Sequence, residues 1–250
     1  MKPGTLYLIP VALGTSEKEG DTLAHIIPAE VKEITAGLAY FIAENAKSAR
    51  AHLKEVAKTR ELNRPIQQIR IAELNVRTGK DSLPALLEPL LAGEDGGLIS
   101  EAGVPAVADP GADLVEMAHR AGIPVKPLVG PSSILLALMG SGLNGQSFAF
   151  NGYLPTNPAN REKQIRTLEN RSRQDRQTQI FIETPYRNQA LLEALCENCR
   201  GDTRLCVATD LTLPTESIET LSASQWKKRL AGKNMPDIQK KPSIFLLLAI

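Results

Sequence analysis

Ser100-Glu-Ala-Gly-Val-Pro-Ala-Val-Ala-Asp-Pro-Gly111 follows the short apolar run Gly97-Leu-Ile-Ser100 and leads into a helical pattern that runs to Arg120. A buried strand that empties into a glycine- and proline-rich loop puts exposed backbone at the carboxyl end of a sheet. Open α/β sheets hold their ligands there. Gly103 lets the main chain approach a ligand with no side chain in the way. Pro105 and Pro110 stiffen the loop and limit the entropy lost on binding. Asp109 is expected as the N-cap of the following helix. An ordinary strand-loop-helix connection could carry the same residues, so the loop alone leaves both readings open.

Outward from this loop, the first half alternates apolar runs with helical patterns, as a largely parallel sheet with crossover helices requires. Strands are predicted at Leu6-Tyr-Leu-Ile9, Leu38-Ala-Tyr-Phe-Ile-Ala43 and Pro124-Val-Lys-Pro-Leu-Val129. Helices are predicted over 44–56, 111–120 and 132–139, with Gly122 ending the second of these. The pattern breaks at Gly152-Tyr-Leu-Pro-Thr-Asn-Pro158, where turn formers cluster ahead of a charged helix over 160–173. The domain boundary is therefore expected at 150/151, giving units 1–150 and 151–250. Strands near 178–182, 203–209, 217–221 and 242–249 suggest a mixed sheet in the second unit. The expected fold class is α/β, with a mainly parallel N-terminal lobe and a mixed C-terminal lobe.

The 250 residues carry a net charge of +1 and 4% aromatics. That balance excludes the global basic footprint of a dedicated nucleic-acid binder, though local clusters can still meet RNA. Cys196 and Cys199 have the C-x-x-C spacing, but His25, His52 and His119 lie far upstream. A tetrahedral zinc site needs a fourth ligand, so three thiols on or near an amphipathic helix are expected and no metal. Sparse, odd-numbered cysteines suit a reducing compartment. The N-terminal apolar run ends at Pro10, short of the roughly 7–15 residues of a signal peptide. No run reaches the roughly 18 apolar residues of a spanning helix. A cytoplasmic protein with no membrane association is expected.

A second loop, Val129-Gly-Pro-Ser-Ser133, either presents unpaired helix-start N–H groups beside two hydroxyls to a ligand or is an ordinary helix start, where proline is favoured anyway. Together with Leu98-Ile-Ser-Glu-Ala-Gly-Val-Pro, Asp109-Pro-Gly and Ala121-Gly-Ile-Pro-Val, it forms an ordered series. The series continues through Phe148-Ala-Phe-Asn-Gly-Tyr-Leu-Pro155, Phe181-Ile-Glu-Thr-Pro-Tyr-Arg187 and Asp210-Leu-Thr212. It resembles the tetrapyrrole-methylase-type, or class III, S-adenosylmethionine-dependent methyltransferases. Within them it is most similar to the branch that methylates a cytidine ribose 2′-hydroxyl in small-subunit ribosomal RNA.

The resemblance implies a transferase of two α/β lobes with S-adenosylmethionine in the cleft between them, and a homodimer engaged in rRNA processing. By matching position it implies cofactor contacts at Pro10, Ser100, Gly103, Val104, Pro105, Ser132 and Ser133. From the second lobe it implies Gly152, Tyr153, Leu154, Thr184, Pro185, Tyr186, Leu211, Thr212, Pro242 and Ile244. Ribosomal-RNA members carry an acidic-Asp-Thr-Arg-His-Thr-Arg run where this chain reads Glu44-Asn-Ala-Lys-Ser-Ala-Arg50. Replacing Arg by Lys there forfeits bidentate phosphate geometry. The first-strand loop, Pro10-Val-Ala-Leu-Gly-Thr-Ser-Glu-Lys-Glu-Gly-Asp21, is also atypical, and the central acid is Glu101 where Asp is usual. Glu44, Lys47 and Arg50 are the expected substrate-facing residues. Glu44 either handles the proton of an acceptor hydroxyl or merely stabilises a helix start. Lys47, Arg50, Lys54, Lys58, Arg60, Arg64 and Arg70 outnumber Glu55 and Glu61, and either track a phosphate backbone or form a solvated face. The leading expectation is methylation of an RNA ribose hydroxyl. Methylation of a small, tetrapyrrole-precursor-like molecule is an alternative, as is a paralogue that binds the cofactor without catalysis.

Overall fold

Strands buried on both faces read as unbroken apolar runs, and Tyr40–Ala43 and Gly96–Ile99 are buried at every residue. The computed structural model describes residues 2–14, 22–75, 77–232 and 234–249. Residues 15–21 of the atypical first-strand loop therefore lie outside the described residues. The chain divides into two units, Met1–Ser132 and Ser133–Ile250.

The first unit holds β1 (Leu6–Ile9), α1 (Ala29–Gly37), β2 (Tyr40–Ala43), α2 (Ala46–Ala57), β3 (Arg70–Glu73), α3 (Leu83–Leu91), β4 (Gly96–Ile99), α4 (Gly111–Arg120) and β5 (Val125–Pro127). The strands form a parallel sheet in the order β3-β2-β4-β1-β5. The two-residue period of a strand sorts its side chains between faces. Leu6, Ile42 and Leu98 meet α3 and α4 through Leu87, Leu90, Leu114 and Ala118. Ile9, Phe41 and Ile99 meet Ala49 and Leu53 of α2 on the other face. Val31 and Ala36 of α1 join Val56 of α2 in a further apolar cluster.

The chain steps outward from β1 to β2 to β3, then returns through α3 to place β4 between β2 and β1. Right-handed crossovers in opposite directions put their helices on opposite faces. The connections that leave β1 and β4, which are neighbours, therefore diverge.

In the second unit, α5 (Ser133–Ser141), β6 (Phe148–Tyr153), α6 (Pro158–Asp175), β7 (Thr178–Ile182), α7 (Asn188–Asn198), β8 (Arg204–Thr209), β9 (Ser217–Ser222), α8 (Ala223–Ala231) and β10 (Ser243–Leu248) build a sheet ordered β6-β7-β10-β8-β9. Only β6 and β7 pair in parallel, so the sheet is mixed as expected. One face meets α6, α7 and α8 through Ile165, Leu168, Leu192, Leu195 and Trp226. The stacked rings of Phe181 and Phe245, 6.2 Å between centroids, lie in the same core. Ser141 at the end of α5 accepts a bond from Thr220 of β9 at 2.8 Å. This packing assigns α5 to the second unit and moves the boundary from the expected 150/151 to 132/133.

His52 sits on the buried side of α2 and its Nε2 has no hydrogen-bond partner among the described residues. Burial pushes its pKa down to about 4. A depressed histidine must stay neutral in the fold, so stability falls as pH drops from about 6.5 toward 4. Between pH 7 and 5 the loss from this group is about 2 kcal/mol. We predict that His52→Leu gains about that much over the parent across this interval in urea unfolding. A pH-independent difference would refute the assignment.

Candidate functional site

In the first unit, every expected site residue lies at the carboxyl edge of the parallel sheet. Pro10 follows β1, Glu44 follows β2, Ser100 follows β4, and residues 128–132 follow β5. β1 and β4 are the strands whose connections diverge, so this edge carries the topological switch point where open α/β sheets bind ligands. Val11 donates its backbone N–H to the Gly103 carbonyl at 2.8 Å, tying the two loops together. Gly103 has φ +72, and a Cβ there would lie 3.2 Å from the Pro131 carbonyl oxygen. Gly130 passes closer still, since a Cβ there would sit 2.3 Å from the Pro10 ring. The loops after β1, β4 and β5 are thus locked by backbone approach, and Val107 and Val129 beside them are exposed.

The loop between β4 and α4 is clamped by Asp109. It is not the N-cap that the sequence suggested, because Pro110 holds that position and supplies no side-chain bond. Its carboxylate instead accepts the Gly111 N–H at 2.7 Å and the Ala106 N–H at 2.8 Å. Ala106 and Ala108 adopt left-handed backbone at φ 64 and 63, conformations that alanine resists. The short carboxylate bridge holds the loop in this shape. Ser100 is buried, with its hydroxyl donating to the Ala102 carbonyl at 3.3 Å.

Glu44 also departs from one of its readings. The helix begins at Ala46 with Asn45 as its cap, accepting the Lys47 N–H at 2.9 Å. Glu44 therefore precedes the cap and is not the acid of a first turn. Burial, then the carboxylates of Asp109 and Glu101, push its pKa up to about 7. A backbone bond from Glu101 partly offsets the rise. Asn45 donates to Glu101 at 3.4 Å and the Ala46 N–H to Glu73 at 3.2 Å, which knits the ends of β2, β3 and β4. A carboxylate that changes charge near neutral pH can hold or release a proton there.

The second unit shows the same convergence at one edge of its own sheet. Tyr153 pairs with Ile182, Ile244 with Ile182, and Ser243 with Thr209. The ends of β6, β7 and β8 therefore lie beside the start of β10, bringing 152–154, 184–186, 211–212 and 242–244 together. Glu183 is buried and accepts the Thr184 N–H at 2.6 Å and Arg187 at 2.5 Å, which fixes the turn at 184–186. Tyr153 and Tyr186 are exposed there, at 60% and 79%. Three buried polar atoms near this edge, Glu183 Oε2, Asn188 Oδ1 and Thr212 Oγ1, have no partner among the described residues. Polar atoms that are buried and unpaired in a fold call for a ligand, ion or water. Glu183 stands in the quoted motif without being one of the expected contacts, and Asn188 lies outside every motif, because their importance comes from burial.

The thiols point away from chemistry. Burial pushes Cys196 up to about 11 and raises Cys199 and Cys206 as well, so all three stay protonated. Among the described residues, no group of three or more His, Cys, Asp or Glu side chains is arranged to hold a metal ion.

Residues 29–226 match the family described as Tetrapyrrole (Corrin/Porphyrin) Methylases. The chain belongs to this family. Among curated relatives it is similar to a Ribosomal RNA small subunit methyltransferase I of Vibrio cholerae, 33% identical over 65% of this chain and 54% of the relative. The equally named protein of Pseudomonas aeruginosa is 35% identical over 54% of this chain and 47% of its own length. That of Xylella fastidiosa is 30% identical over 86% and 71%. The chain thus spans about half the length of the first two. A solved structure described as the methyltransferase CobJ shares the fold at a TM-score of 0.61 and 15% identity, covering 99% of this chain and 100% of its own. The uroporphyrin-III-C-methyltransferase of Thermus thermophilus does so at 0.54 and 16%, over 98% and 92%. The methylase family accounts for the ordered motif series, and the structure brings the series to one sheet edge in each unit, except Ala121-Gly-Ile-Pro-Val125, which enters β5 at the opposite, amino edge.

Two predictions follow from this geometry. Gly130→Ala forces a methyl group into the Pro10 ring and is expected to destabilise the protein by about 1–3 kcal/mol. A denaturation midpoint unchanged from the parent would show that the two loops are not in contact. For Glu44, a raised acid pKa means ionisation opposes folding, fully above about pH 7 and not at all below about 4.5. Glu44→Gln should therefore raise the thermal midpoint at pH 8 and match the parent near pH 4.5; a lowered midpoint at pH 8 contradicts the charge argument.

Proposed function

We propose that the protein is an S-adenosylmethionine-dependent methyltransferase whose acceptor is a ribose 2′-hydroxyl in small-subunit ribosomal RNA. The observation that carries this reading is the convergence of the motif loops after β1, β4 and β5 at one sheet edge of the first unit, and of 152–154, 184–186, 211–212 and 242–244 at one edge of the second. The cofactor contacts assigned to the first unit are Pro10, Ser100, Gly103, Val104, Pro105 and Ser132. Those assigned to the second are Ser133, Gly152, Tyr153, Leu154, Thr184, Pro185, Tyr186, Leu211, Thr212, Pro242 and Ile244.

Features of the chain fit such a molecule. The locked loops after β1, β4 and β5 offer backbone at close range. The orphaned Thr212 hydroxyl and Glu183 carboxylate oxygen offer polar partners to a nucleoside, and exposed Tyr153 and Tyr186 offer rings. When bound, S-adenosylmethionine supplies an electrophilic methyl group on a sulfonium sulfur. The task left to the protein is to align the acceptor oxygen in a dry site. Glu44 is the assigned proton acceptor: a Glu44 carboxylate oxygen would take the proton of the acceptor hydroxyl, while the sulfonium sulfur would keep the electron pair of the bond its methyl group gives up. A pKa of about 7 suits that role near neutral pH. Lys47 and Arg50 face the acceptor strand, and no residue of this scheme requires a metal.

The assembly we propose is a cytoplasmic homodimer. Leu135 and Met139, one turn apart on α5 and 49% and 78% exposed, favour burial against a second copy. No helix among the described residues is long and apolar enough to cross a membrane.

Calorimetry should give one S-adenosylmethionine per chain. Labelled methyl transfer should appear in ribosomal RNA from a deletion strain and not in wild-type RNA that already carries the group. Absence of heat and of thermal shift with both the cofactor and its demethylated product overturns the proposal. Transfer to a tetrapyrrole precursor, with none to RNA, moves the acceptor to a small molecule.

A further inference from the structure

The basic residues that the sequence groups over 47–70 separate into two sets in the structure. Arg70 is paired with Glu94 and lies 5.1 Å from the Tyr40 ring centroid. Arg60 and Arg64 line open cavities with Glu33, Glu61, Glu94 and Asp95 at the amino end of β2, the edge away from Glu44. Lys47, Arg50 and Lys54 belong to neither cavity, are exposed on α2, and have no carboxylate partner among the described residues.

Helical spacing aligns these three with Lys58. At 100° per residue, positions 47, 50, 54 and 58 fall within an arc of about 80°. The arc lies opposite Ala49, His52, Leu53 and Val56, which are buried. The stripe runs about 16 Å along the helix. It starts three residues past Glu44, at the carboxyl edge of the sheet.

A solvated helix face commonly alternates charge, and α6 of this same chain does so. There Glu162 pairs with Arg166 at 2.7 Å and Arg171 with Asp175 at 3.7 Å, each four residues apart. Lys58 is paired with Glu55 at 2.7 Å, but Lys47, Arg50 and Lys54 stand at i,i+3 and i,i+4 from one another, the spacings at which like charges repel. Lys47 also occupies the first turn, where the helix dipole disfavours a cation and where α2 has no acid. Both choices weaken the isolated helix. Both favour a polyanion laid along it.

We propose that Lys47, Arg50 and Lys54 form a track for the phosphate backbone of the RNA, delivering the acceptor nucleotide to the edge at Glu44. Arg60, Arg64 and Arg70 take no part. The track rests on the ribosomal-RNA reading above and specifies how that strand is held.

The test measures binding of purified small-subunit ribosomal RNA across a salt series. Each phosphate contact to a single strand contributes about 0.7 to the slope of log affinity against log salt. The variant Lys47→Gln/Arg50→Gln/Lys54→Gln is expected to lower that slope by about 2, with S-adenosylmethionine binding unchanged. Its thermal midpoint should equal or exceed the parent's, because like-charge repulsion has been relieved, so a loss of affinity cannot be blamed on unfolding. Arg64→Gln, as a control, should leave the slope as it was. Parent protein that binds RNA with a slope the triple variant does not change overturns the track alone. Parent protein that binds the cofactor but no RNA overturns the RNA reading, and the track with it.

Discussion

The structure of the first unit depends on β1 and β4 being neighbours whose connections leave toward opposite faces. A parallel sheet needs helices on both sides to cover strands such as Tyr40–Ala43 and Gly96–Ile99. Satisfying both faces from one chain requires a reversal of direction. The reversal opens a gap at the carboxyl edge between loops that would otherwise be covered by helix. The bond between the Val11 N–H and the Gly103 carbonyl then fixes the width of that gap. Gly130 against Pro10 and the Asp109 clamp keep the surrounding loops from relaxing into it.

Electrostatics at this edge follow from the same geometry. Burial at these strand ends is the first cause that lifts Glu44 to about 7, and the carboxylates of Asp109 and Glu101 add to it. Burial also holds Asp109 above its ordinary value, against the backbone bonds it accepts from Gly111 and Ala106. Beside these acids the first two turns of α2 carry Lys47 and Arg50. A boundary between an acidic edge and a basic helix face can separate proton handling from phosphate recognition. At its edge the second unit pairs its charges instead, Glu183 with Arg187 and Asp210 with Lys241. Its contribution is buried polar groups awaiting partners and two exposed tyrosines.

Where sequence reading succeeded, the governing physics was local. The strands at Leu6–Ile9 and Thr178–Ile182 and the helix at Gly111–Arg120 were legible because apolar period and punctuation by glycine and proline act over a few residues. β3 escaped notice because Arg-Ile-Ala-Glu carries its pattern at a sheet edge with exposed ends. α3 was hidden by prolines at Pro84 and Pro89, the latter inside the helix. The boundary was misplaced because the turn cluster after Gly152 is a stronger local signal than the packing of α5 on its sheet.

The residues of the candidate site were named by the motif series, since each loop needs particular glycines, prolines and hydroxyls to hold its shape. Composition and periodicity determined the α/β class and the parallel and mixed halves. Tertiary structure decided the rest. It turned Asp109 from a cap into a clamp, moved Glu44 out of its helix and raised its pKa, and left one oxygen each of buried Glu183 and Asn188 without a partner among the described residues. It also divided one run of basic residues into two sets on different edges. All of these depend on which strand ends become neighbours, and that is set by long-range pairing that no local pattern encodes.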